Sequence, residues 1–87
     1  MSARLHRFWF KFKAHANSPL GYGVTTWTED DARLILARDV FRGRPMPDAA
    51  VTAEVDVRTL DPGHIRPNTG NPAIRGIWYP LGFAQLN

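Results

Sequence analysis

The chain has no cysteine among its 87 residues, which excludes a disulfide framework, a thiolate metal site and a cysteine nucleophile. Long apolar runs are missing too, so no segment reads as a membrane span. The start, MSARLHRFWFKFK, is basic, but charges interrupt its apolar residues, and a secretory signal needs an unbroken apolar core. Internal repeats, low-complexity tracts and a glycine-rich phosphate loop are likewise absent. The expectation is a soluble cytoplasmic protein with no cofactor.

What is present is the make-up of an ordinary folded chain. A hydrophobic content of 44% against a charged fraction of 22% is far from the balance that keeps chains disordered. Its length suits one domain, residues 1–87, which folds alone without a large margin. The formal charge of +3 is unevenly spread. Arg4, Arg7, Lys11 and Lys13 fall near the start with no acid among them, which raises the prospect of an acidic partner only slightly.

From Leu5 to Lys13 the residues alternate, with Phe8, Phe10 and Phe12 on one parity and Arg7, Trp9, Lys11 and Lys13 on the other, the period of a half-buried strand. Turn residues follow, and Tyr22 to Thr28 resumes β-favouring composition, so the two segments suit an antiparallel hairpin. Thr28 before Glu29, Asp30 and Asp31 signals a helix start: a hydroxyl to cap free amides, then carboxylates that meet the helix dipole. The helix is predicted to end near Phe41 or Arg42, before Gly43 and two prolines. Its apolar arc is Ala32, Leu34, Leu36, Ala37, Val40 and Phe41, with Ile35 an outlier among the charges. Val51 to Arg58 alternates cleanly, with Val51, Ala53, Val55 and Val57 on one face. Arg75 to Tyr79 predicts a short last strand ended by Pro80. The expected fold is α+β, ββαββ, one helix on a four-stranded, mainly antiparallel sheet.

One helix covers one sheet face only. If the aliphatic parity faces the helix, Trp9, Trp27 and Trp78 fall on the uncovered side, an apolar patch of a size monomers rarely expose. Either the turn-rich Asp61 to Pro72 segment folds over them or they form an interface, where Trp, Tyr and Arg are usual anchors. The residues assigned to partner binding are Trp9, Trp27, Arg66, Arg75, Trp78 and Tyr79.

Two other chemistries are weighed. Arg7, Trp9, Lys11 and Lys13 on one strand face could bind phosphates and stack a base, loosely like the sheet platform of RNA-recognition domains. The glycine-aromatic core of that family's motif and its second helix are missing, and a solvated strand edge explains the same residues. His64 with Asp61, Arg66 and Asn68, joined by Asp56 or Arg75, has the residue types of a small active site. Turn geometry accounts for Asp61-Pro62-Gly63 and the neighbouring asparagines more simply, so no catalytic residue is assigned. No metal site is assigned either: His6, His15 and His64 lack ligand spacing, and Glu54 with Asp56 lacks a third partner.

The segments GYGVTTWTEDDARLIL, VDVRTLD and HIRPNTGNPAIRGIWYP, taken together, resemble a pattern found in small bacterial proteins without an assigned function. The resemblance runs from Gly21 to Pro80 and implies a stand-alone domain of bacterial origin; no residue inherits a role from it. The leading expectation is a small protein-protein interaction module: an inhibitor, immunity or regulatory partner, or a homo-oligomer. Nucleic-acid binding and a His64 enzyme are the alternatives.

Overall fold

The computed structural model describes residues 4–13, 21–60, 63, 65 and 69–80. Strands β1 (His6–Phe12), β2 (Tyr22–Thr26), β3 (Ala49–Ala53) and β4 (Gly76–Tyr79) form one antiparallel sheet in the order β3-β1-β2-β4. Helix α1 (Glu29–Leu36) lies between β2 and β3 in the chain and continues into a π-helical turn over Ala37–Phe41. The α+β fold in ββαββ order is therefore the one the residue patterns predict.

Helix α1 starts where its capping residues place it. The Asp31 amide donates to Thr28 Oγ1 at 3.0 Å, and Glu29, Asp30 and Asp31 occupy the first turn. Arg42, left-handed at φ 50°, ends the π turn, and the Arg44 guanidinium donates to the Phe41 carbonyl at 3.1 Å, satisfying an acceptor the helix end leaves open.

Which helix residues face inward differs from expectation. Ile35 is buried and Leu34 is exposed. At about 100° per residue, Ile35 and Leu36 lie three and four positions beyond buried Ala32 and share its side, whereas Leu34 lies two beyond and turns away. Phe8, Phe10 and Phe12 meet this inner helix face with Tyr22, Val24, Val40, Phe41 and Ile77. The Phe12 and Phe41 rings meet edge to face at 5.2 Å.

Strand β3 is shorter than Val51 to Arg58. Glu54 takes a positive φ of 55°, and the chain passes into a 3-10 turn at Val57–Thr59. The continuous alternation predicted there breaks at that residue: Val51 packs on the helix-side core, but Val55 and Val57 join a second cluster on the other face. A left-handed residue redirects the chain, so parity counted through it fails.

The connection from β3 to β4 must run from one sheet edge to the other. With α1 over one face, the connection takes the opposite one. Val55, Val57, Leu60 and Ile65 pack there against Trp9, Trp78 and Tyr79, so the domain has two cores, one on each side of a single sheet.

Candidate functional site

Trp9 and Trp78 lie opposite the helix as the parity predicts, but that face is covered. Trp78 is 0% exposed, Tyr79 6% and Trp9 9%. The Trp9 ring sits 5.9 Å from Trp78 and 5.3 Å from Tyr79. Two local devices make room for them. The register between β2 and β4 slips by one at Gly23/Val24, so Trp78 is an extra residue between Ile77, opposite Val24, and Tyr79, opposite Gly23. The bulge puts both Trp78 and Tyr79 on the far face. Gly23 then leaves space for the Trp78 indole and Gly21 for that of Trp9, because a Cβ at either position would come within 2.9 Å of the ring it faces. An exposed platform built on Trp9, Trp78 and Tyr79 is corrected accordingly: these three anchor the second core.

Trp27 takes a different place. Strand β2 ends at Thr26, so Trp27 belongs to the link into α1 rather than to a sheet face, and it is 44% exposed. Leu34 is 68% exposed, and these two are the exposed large hydrophobic residues among those described. Asp30, Leu34 and Arg38 follow one another at intervals of four along the outer side of α1 and its π turn, and Trp27 precedes them, ahead of the extended Thr28 cap. Asp30 has no ion pair among the described residues. Arg38 donates from Nε to the neighbouring Asp39 carboxylate at 2.7 Å, a bond that holds the Asp39 pKa below its ordinary value.

A polar row lies at the sheet end where β1 and β4 begin and β2 and β3 stop. Thr26, directly opposite His6 in the ladder, donates from Oγ1 to Asp31 Oδ2. Arg75 donates from Nε to Thr26 Oγ1 at 3.1 Å and from Nη2 to the same Asp31 oxygen at 2.9 Å. The Thr26 hydroxyl first, and Arg75 after it, hold the Asp31 pKa below the usual aspartate value. On the other side of the row, His6 Nδ1 bonds Glu54 Oε1, and Arg4 donates to Glu54 Oε2 at 3.2 Å. The His6 contact is the main cause of the lowered Glu54 pKa. Thus Arg75, assigned from its loop to partner binding, is half-buried and fastens β4 to the start of α1. No sequence signal marked the His6–Glu54 pair, since the two residues are 48 positions apart and meet only through β1–β3 pairing.

The basic face of β1 divides in the structure. Arg7 donates from Nε to the Val55 carbonyl at 3.0 Å, Lys11 and Lys13 are exposed, and Trp9 beside them is covered. The ring that would stack a base is thereby taken up by the second core. Asp56, grouped by sequence with His64, caps the 3-10 turn and accepts from the Arg58 guanidinium at 2.9 Å. His64, Arg66, Asp61, Asn68 and His15 lie outside the described residues. Among the described residues, no three His, Asp or Glu side chains gather to hold a metal ion, and no helix is long and apolar enough to cross a membrane. No protein-family model, curated protein or solved structure matches this chain.

Proposed function

We propose that this protein works by binding another protein chain, through the outer surface of α1 and the Trp27 link that leads into it. The observation that carries this reading is the exposure of Trp27 and Leu34, the two exposed large hydrophobic residues among those described, beside cores packed on both sides of the sheet. Tryptophan is a frequent interface anchor because it brings a large apolar area with few rotatable bonds. The surrounding charges, Asp30 and Arg38, supply the polar rim that sets orientation. An inhibitor, immunity or regulatory partner, or a self-associating chain, fits this description.

The proposed surface is narrower than the set chosen from sequence. Trp27 stays in it, with Arg75 at its edge through the contact to Asp31; Trp9, Trp78 and Tyr79 belong instead to the second core on the far face of the sheet. The test is photo-cross-linking in cells with a benzophenone amino acid replacing Leu34, and replacing exposed Thr59 in a control. Adducts formed at 34 and not at 59 are expected. Equal adducts at both positions, or none at 34, would overturn the reading.

A further inference from the structure

We infer that the chain binding at the outer face of α1 is a second copy of this protein, paired helix to helix in antiparallel sense about a two-fold axis at Leu34. The inference rests on the protein-binding reading above and names its partner. Its ground is the symmetry of the stripe. Leu34 is exposed at the centre, Asp30 stands four residues before it and Arg38 four residues after it. In an antiparallel pair centred on Leu34, each Asp30 comes opposite the Arg38 of the second copy, and the two Leu34 side chains meet on the axis. A two-fold interface needs just this: one surface complementary to itself.

Charge along the helix supports the same sense of pairing. On the stripe itself Asp30 lies in the first turn and Arg38 toward the other end, while Glu29 is already paired to Arg33 at 3.1 Å. A parallel pair would set acid against acid and base against base. The antiparallel pair opposes unlike charges and unlike helix-dipole ends. Both charged groups have capacity to spare. Asp30 has no ion pair among the described residues, and Arg38 engages Asp39 through Nε and Nη2, leaving Nη1 for a carboxylate.

The contact is small. Thirteen residues of α1 and its π turn span roughly 20 Å, so the interface falls in the weak, transient class below about 1,200 Å². Association is expected at micromolar concentration and above.

Sedimentation velocity over a concentration series, with circular dichroism to confirm folding, tests the inference. Wild-type protein is expected to dimerise with concentration. Leu34→Asp, at a position that contributes nothing to either core, should fold normally and weaken the dimer by about tenfold or more, as loss of a central anchor does. Asp30→Arg sets arginine against arginine across the axis, and Arg38→Asp sets aspartate against aspartate, so each variant alone should be monomeric. Their equimolar mixture should dimerise, because every facing pair of charges is then unlike.

A wild-type monomer at every concentration, a dimer that Leu34→Asp leaves unweakened, or a mixture that stays monomeric would each overturn the inference. The cross-link at position 34 separates this from failure of the reading beneath it. An adduct of twice the chain's own mass supports the second copy; an adduct with a different protein removes the second copy and keeps the binding surface; no adduct removes both.

Discussion

At Gly23 a single added methyl group would sit 2.5 Å from Cη2 and Cζ2 of Trp78, closer than any relaxed contact allows. The indole is fully buried and flanked by Trp9, so it has little room to retreat. Gly23→Ala should therefore destabilise the fold by about 1–3 kcal/mol, the usual cost of overpacking. Urea unfolding followed by far-UV circular dichroism measures it, and an unchanged midpoint would mean that the indole is not seated on this glycine. Gly21 and Gly23 flank Tyr22 at the start of β2. Their role is visible only when Trp78, 55 residues beyond Gly23, is laid over the strand.

The first turn of α1 carries an electrostatic contact that ties it to β2 and to the residue before β4. Asp31 accepts from Thr26 and Arg75, and its pKa is held below the ordinary aspartate value. A carboxyl with a lowered folded pKa contributes stability that is complete above its unfolded pKa and lost as pH falls through the folded value. Stability should accordingly fall on acidification below the normal aspartate range. Asp31→Asn should remove part of that slope and cost about 1–3 kcal/mol at neutral pH, because Thr26 and Arg75 lose a charged acceptor. Denaturation midpoints collected from neutral to acidic pH for both proteins decide this; parallel curves would show that Asp31 is not linked to folding. The capping role of Thr28 and the acidic first turn were legible in the sequence. The tie to Arg75 was not, since it depends on β4 lying beside β2.

For the whole molecule, the sheet order sends the β3–β4 connection across the face that α1 leaves open. This decides the environment of the three tryptophans: Trp9 and Trp78 are inside, and Trp27 is outside. Tryptophan emission should therefore contain one component accessible to an uncharged quencher such as acrylamide. Trp27→Phe should abolish that component and leave blue-shifted, poorly quenched emission from the other two. Substantial quenching remaining in the variant would place Trp9 or Trp78 in solvent and refute the second core.

The residues alone determined the order of the four strands and the helix, though not the π turn that ends the helix or the 3-10 turn that follows β3. Alternating phenylalanines make β1, Thr28 and three acids start α1, Gly43 and the prolines stop it, and Tyr79-Pro80 closes β4. These are local effects, fixed by side-chain period, capping and backbone restriction within a few positions. Tertiary structure decided the facing of each element wherever a local irregularity shifted the phase: the left-handed Glu54, the bulge at Trp78 and the rotation of α1 that brings Ile35 in and turns Leu34 out. Each irregularity answers to a distant partner, and a parity count has no access to it. The sequence gathered tryptophans and arginines as candidates for binding. Packing placed Trp9 and Trp78 in a buried anchor on the far side of the sheet, Arg75 in the tie between β4 and α1, and Trp27 in solvent, because only strand order shows which face the chain itself covers.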